Sequence, residues 1–468
     1  MLFNSPVFAA FFAGYLIIHC LTPGRFRLWT MIAGSAVFYG YWNWAFAWLP
    51  FLLVVLAFLT TSWTMSAAPA HRRLRLAIGV AVLLAPLLFF KYTNFIWKDV
   101  IGAFVDVERF APGGTAMTLP LPLGISFVTF TLVAYLVDVS TGRYPFNAQP
   151  RWLLGYTLFF PHLIAGPILR PDELMPQLHR GMPVRRSNLL PGLALFTVGL
   201  IKKTLFADPI GAVVTAIYAH PEGRGAAEYL FAFYGFAVQI YCDFSGYTDM
   251  ALGTALILGV RLPGNFLRPY LATSIADFWR RWHITLSHWL RDYVFIPLGG
   301  SREGAVKTTG NVMITMALGG LWHGANWTFV IWGVLQGLGV AVSRLLERHA
   351  PSWMRPPDWV LMLVTFHVVA LLWIFFRAPD LITALTMLHG CLGGAPFRNT
   401  AGFVREHLFE SLLMLAFFMS HPWDDGRRVR IMVRTRPPIV VVAVVAVGVL
   451  LVMAIGSDSP AKFIYFEF

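Results

Sequence analysis

The sequence predicts an all-α integral membrane protein, with many spans and with re-entrant segments between them. Two observations carry that prediction. Of 468 residues, 57% are hydrophobic and 13% are charged, and the charged share is about half that of a soluble domain. Apolar runs recur from one end of the chain to the other, and no soluble core of this size could bury them. In a bilayer the backbone must satisfy its own hydrogen bonds, and runs of this length do so as helices. No repeat and no long linker interrupts the pattern, so residues 1–468 read as a single domain.

Taken in order, apolar runs fill 7–22, 28–48, 50–66, 74–90 and 119–138. Later runs lie near 189–206, 228–242, 246–262, 308–321, 327–343, 358–376, 408–420 and 437–455. The length allows roughly ten to twelve spans of ~20 residues. The opening MLFNSPVFAAFFAGYLII has no basic n-region and no small-residue cleavage site, so it reads as a retained first span.

Basic clusters orient the spans, because Lys and Arg collect on the cytoplasmic side. Arg25 and Arg27 follow the first run, and Arg72, Arg73 and Arg75 follow the third. Arg143, Arg151, Arg170, Arg180, Arg185 and Arg186 flank WLLGYTLFFPHLIAGPIL. That stretch then enters and leaves on one side. Its Pro161, Gly166 and Pro167 suit a re-entrant segment buried in protein. Arg427, Arg428, Arg430, Arg434 and Arg436 precede the last run. Both termini are therefore expected outside the cytoplasm.

The formal charge is +13. Without a polar basic patch this excess is expected in cytoplasmic loops, and no nucleic-acid partner is expected. Cys20, Cys242 and Cys391 are far apart, with no CxxC pair, so no zinc site and no disulfide framework is expected. The chain lacks GxSxG, GxxxxGK[ST] and HExxH, which removes hydrolase, ATPase and zinc-protease readings.

Polar residues inside apolar segments mark function by default, and three regions hold them. The first is QIYCDFSGYTDMALG, residues 239–253. Asp243 and Asp249 sit at run edges, with Gly246 as a break between them. Either could cap a helix, or a line of carboxylates could carry protons or cations. The second is NFLRPYLATSIADFWRRWHITLSHWLRDYVFIPLGG, residues 265–300. Alternating Trp and Arg suit a surface-lying amphipathic helix at the interface. His283 and His288 are five apart, about 140° around a helix, so they share no face and form no zinc pair. Guanidinium groups here could instead hold the phosphates of a large anionic molecule. The third is MALGGLWHGANWTFVIWG, residues 316–333. His323 lies among Gly319, Gly320 and Gly324, which permit close approach of backbone or ligand. A lone buried His is ordinarily a satisfied core residue. A neutral imidazole with Trp322, Asn326 and Trp327 around it also suits a general base.

The blocks FFPHLIAGPILRP, QIYCDFSGYTDMALG, FWRRWHITLSHWLRDYVFIPLGG and GGLWHGANWTFVIWG together resemble the membrane-bound O-acyltransferase superfamily, closest to its bacterial polysaccharide branch. MLFNSPVF, KYTNF, LPLGISFVTF and the closing FIYFEF fit the same branch. The likeness thus runs over nearly the whole chain. Ser140 and Thr141, and Gln336 in WGVLQG, depart from that branch, which leaves the subfamily and acceptor open. The D-alanine-transferring and eukaryotic branches fit less well.

The resemblance implies helices around a central tunnel and an enzyme that takes a thioester donor from the cytoplasm. It implies that His323, in the WHG motif, is catalytic, and that His283, 40 positions earlier, is the second polar residue of the site. On that footing Arg280 and Arg281 are expected to contact the donor's phosphates, with Asp243, Asp249, Trp322 and Asn326 in support and no metal. Acetyl-CoA is the expected co-substrate, and no permanently bound cofactor is expected. The expected partners are a periplasmic esterase-like protein, an exopolysaccharide of alginate or cellulose type as final acceptor, with cell-wall glycans also open, and membrane lipids. The expected location is the bacterial inner membrane. A non-catalytic scaffold and a small-molecule transporter are the rival readings; a transporter often shows two similar halves, and none is visible.

Overall fold

The computed structural model describes residues 1–102, 120–349, 351, 355–456, 461 and 463–466. The last two residues of the FIYFEF block, and residue 119 at the head of one apolar run, lie outside these. Helices are the regular elements of the described residues, with no strand among them. The chain divides into two compact units, Met1–Asn188 with Thr254–Pro263, and Leu189–Gly253 with Gly264–Phe468.

The first unit begins with α1 (Pro6–Leu21), where the Ser5 hydroxyl accepts the Phe8 N–H at 3.2 Å. An oxygen here satisfies one of the helix's orphan donors. α2 (Arg27–Gly40), α3 (Leu49–Met65), α4 (Pro69–Leu87) and α5 (Ile125–Ser140) follow. α3, α4 and α5 pack on one another, and Gly79 of α4 brings that helix against Leu136 and Thr60. α6 (Pro150–Leu158), α7 (Phe160–Leu163) and α8 (Pro171–His179) complete the unit.

The stretch expected to be re-entrant is α6, α7 and the extended backbone after them. Neither helix approaches the ~20 residues of a span. Everything from Gly155 to Leu169 is buried. Its polar groups are met from within the protein. The Tyr156 hydroxyl donates to the Leu169 carbonyl at 2.6 Å, and His162 Nε2 donates to the Tyr156 carbonyl at 2.9 Å. The Phe160 N–H donates to Ser35 Oγ at 3.2 Å. Non-helical backbone survives at membrane depth only under such cover.

The second unit holds α9 (Arg186–Ile201), a π-helical turn (Lys202–Ala207) and α10 (Asp208–Ala219), which run on as one apolar helix. α11 (Ala226–Ile257) is continuous over 32 residues. This corrects the expected break at Gly246. The glycine serves packing instead. A Cβ at Gly246 would lie 2.7 Å from the Gly199 carbonyl oxygen, and one at Gly253 would lie 2.5 Å from that of Gly192. The small residues thus let α9 and α11 touch along their backbones, as membrane helices do.

Next come α12 (Ile275–Arg281) and α13 (Ile284–Leu290), each seven residues. α14 (Ala305–His323) and α15 (Trp327–His349) form a tight helical hairpin, and α16 (Asp358–Arg377) packs on α15. α17 (Leu381–His389), α18 (Leu408–Ser420), α19 (Gly426–Thr435) and α20 (Pro438–Ile455) close the unit. Across the described residues six helices are long and apolar enough to cross a membrane. They are Trp44–Met65, Pro69–Ile101, Arg186–Ala219, Trp327–His349, Asp358–Arg377 and Pro438–Ile455.

Candidate active site

His323 is the last residue of α14. The glycines around it work mainly between the two arms of the hairpin. A methyl on Gly320 would strike the Phe329 carbonyl and Gly333; one on Gly333 would strike the Met316 carbonyl; one on Gly324 would strike the Phe329 ring. Their absence of side chains seats α14 on α15 and fixes where the helix stops. The His323 side chain is then buried inside an aromatic box. Its ring centroid lies 4.9 Å from Trp322, 5.1 Å from Phe376, 5.3 Å from Trp332 and 5.6 Å from Tyr465.

His283 sits at the corner between α12 and α13, outside the six candidate spans. Its backbone is left-handed, with φ 42° and ψ 54°, a conformation uncommon without glycine. Two backbone hydrogen bonds brace the corner. The Ile284 N–H donates to the Asn265 carbonyl at 3.0 Å, and the Leu267 N–H to the Arg281 carbonyl at 2.9 Å. The imidazole is fully buried, and burial pushes its pKa down to about 3. It is therefore neutral at physiological pH. Its ring packs 4.7 Å from Phe244 and 6.1 Å from Trp322.

The two histidines so reach one place from different elements. Trp322 lies against both. Phe244, on α11, touches His283 and also Tyr465, at 4.5 Å, and Tyr465 touches His323. The expected surface-lying helix is not what forms here. Trp279, Trp282 and Trp289 are buried at the short-helix corner, Trp282 completely, and they pack the core instead of anchoring at an interface. His288 is exposed, whereas His283 is buried.

The other expected residues divide. Asp243 and Asp249 lie within α11, so neither caps a helix; each faces a lysine of the π-helical turn. Asp243 pairs with Lys203 at 2.9 Å, and Lys203 also pairs with Asp208 at 2.7 Å. Asp249 pairs with Lys202 at 2.8 Å, and Lys202 reaches Asp424 at 2.7 Å. Asp243 also accepts the Ile464 N–H at 2.7 Å, which ties down the segment carrying Tyr465. Arg280 and Arg281 both pair with Asp277, at 3.5 and 2.8 Å, and the Arg280 side chain is 67% exposed. Neither is among the rings around the two histidines. Asn326 accepts the Thr328 N–H at 3.0 Å and donates to the Pro379 carbonyl at 2.7 Å. It shapes the turn into α15.

Sequence reading missed Lys202, Lys203, Asp424, Asn265, Phe244 and Tyr465. The adjacent lysines carried a signal, since two charges inside the apolar run 189–206 require buried partners. Asn265 and the two aromatic residues carried none, because their role depends on which helices meet.

A family model described as MBOAT, membrane-bound O-acyltransferase family, matches residues 147–378, a range that includes both histidines. The probable alginate O-acetylase of Azotobacter vinelandii is 38% identical over 393 residues, covering 83% of this chain and 77% of that protein. Its Pseudomonas aeruginosa counterpart is 37% identical over 435 residues, covering 89% and 81%. The chain belongs to the membrane-bound O-acyltransferase family. It is also 35% identical, over 437 residues and 84% and 80% of the two chains, to the peptidoglycan O-acetyltransferase of Helicobacter pylori. Membership makes the chain a multi-pass membrane O-acyltransferase and sets aside the scaffold and transporter readings.

Proposed function

We propose that this acyltransferase moves acetyl groups from cytoplasmic acetyl-CoA to a secreted polysaccharide, with His323 as general base and His283 as its partner. The convergence of two buried histidines on one aromatic cluster, from two separate corners of the chain, carries the reading. The relatives support the acetyl group and the glycan: two are named alginate O-acetylases and one a peptidoglycan O-acetyltransferase.

In the proposed step His323 takes the proton of the acceptor hydroxyl as its oxygen attacks the thioester carbonyl. The C–O bond forms, the C–S bond breaks, and the proton leaves on the sulfur. His283 orients the reactants or stabilises the oxyanion. The aromatic walls exclude the water that would otherwise hydrolyse the thioester. Arg280 and Arg281 remain candidates for the donor's phosphates, on a surface open to solvent. The polymer is of alginate or cellulose type, or a cell-wall glycan. The acetyl group passes through a periplasmic esterase-like partner, across an inner membrane with both termini on the periplasmic side.

Membranes carrying the protein and its partner, supplied with radiolabelled acetyl-CoA, test this. Label is expected to reach polysaccharide in the wild type and to fall by about 10²-fold or more in His323→Ala. Label retained at the wild-type level in that variant rejects the assignment of His323. Label passing equally from another acyl thioester, with acetyl-CoA inert, rejects the donor.

A further inference from the structure

A cavity of about 230 Å³ is lined in part by Lys202, Tyr241, Asp249, Asn265, Arg430 and Ile284, the residue after His283. Asn265 is the wall residue that also reaches the histidine. It is 1% exposed. Its Oδ1 accepts the Thr285 N–H at 3.1 Å and the Thr285 hydroxyl at 3.0 Å, and lies 3.3 Å from His283 Nδ1.

The orientation of this amide is fixed by chemistry. A backbone N–H can only donate, so the atom facing Thr285 N must be the oxygen. An amide oxygen can only accept, so the His283 nitrogen facing it must carry the proton. A neutral imidazole has one N–H, which makes Nε2 the nitrogen with the lone pair. Asn265 Nδ2, meanwhile, is buried and makes no hydrogen bond with the described residues. A buried amide donor without a partner is disfavoured in a purely structural residue. At a cavity wall beside a functional histidine it has a use.

We propose that Asn265 is a positioning residue of the transfer reaction, holding His283 as the Nδ1–H tautomer so that Nε2 is its basic nitrogen. This rests on the reading of His283 and His323 as the site of transfer. The same amide side chain and its own backbone carbonyl both hold the left-handed corner at His283, so tautomer and ring direction are set together.

Two variants and a spectroscopic readout test it. Asn265→Leu keeps the approximate size and removes the acceptor; Asn265→Asp keeps the acceptor. Acetyl transfer is followed in membranes with acetyl-CoA, and ¹⁵N spectra are taken of the histidine-labelled protein. The His283 signal, one of 13 histidines, is identified by its loss in His283→Gln. The wild type is expected to show a protonated Nδ1. Asn265→Leu is expected to lose that signature and to drop kcat by about tenfold or more, with KM for acetyl-CoA within about twofold. Asn265→Asp is expected to keep the Nδ1–H signature and most of the rate. A wild-type Nε2–H signal overturns the proposal, as does Asn265→Leu with an unchanged tautomer or full kcat. If Asn265→Leu does not fold, loss of the Nδ1–H signature in a folded Asn265→Asp overturns it equally. Full activity in His323→Ala would reject the transfer site instead, while the tautomer result stands by itself.

Discussion

At the scale of residues, the two histidines contrast in how they are held. His323 is placed by a helix end and a ring of aromatic neighbours; His283 is placed by a left-handed corner and one asparagine. His283→Ala is expected to lower kcat by about 10²-fold, with a smaller change in KM, because it removes a group proposed to act during the reaction. Steady-state kinetics with varied acetyl-CoA checks this. A KM rise with unchanged kcat would assign His283 to donor binding. Both histidines were legible in the sequence, one as an imidazole among glycines, both through block resemblance. Asn265 was not, because an asparagine in NFLRP resembles any turn residue until the chain folds and brings Thr285 and His283 to its oxygen.

At the scale of elements, charge and close packing hold the second unit together. Lys203 is buried between Asp243 and Asp208. Lys203→Met is expected to destabilise the protein by about 3–5 kcal/mol, since it strands the buried Asp243 carboxylate and removes the partner of the half-buried Asp208. Thermal unfolding in detergent reads this. Lys307→Met, which removes the exposed pair with Glu303, is the control and is expected to leave the transition unmoved. The hairpin of α14 and α15 depends on Gly320 and Gly333. Gly320→Ala is expected to cost about 1–3 kcal/mol through overpacking, and to reduce transfer because it shifts His323. An unchanged melting transition in that variant would contradict the packing role. The sequence made these glycines visible but not their use. Gly246 looked like a helix break because an isolated glycine weakens a helix in water; in α11 a neighbouring backbone lies against it, and the helix runs through. Asp243 and Asp249 looked like caps for the same reason, as their lysines lie 40 and 47 residues earlier in the chain.

At the scale of the whole molecule, composition pointed to a membrane protein and the length of the recurring apolar runs pointed to helices, which are the only regular elements among the described residues. The broken segment at 152–169 was legible from its Pro and Gly. The three tryptophans at 279, 282 and 289 were misplaced at an interface, since Trp beside Arg suits either a headgroup layer or a buried corner and only the packing decides. The proposed function makes one claim above all, that His323 performs acyl transfer to a secreted polymer. The direct measurement replaces His323 with Ala in the native host, confirms the protein in the membrane, and quantifies ester-linked acetate on the extracellular polysaccharide. Acetate is expected to vanish while polymer is still secreted. Acetate at the wild-type level, with the variant protein present, would contradict the claim.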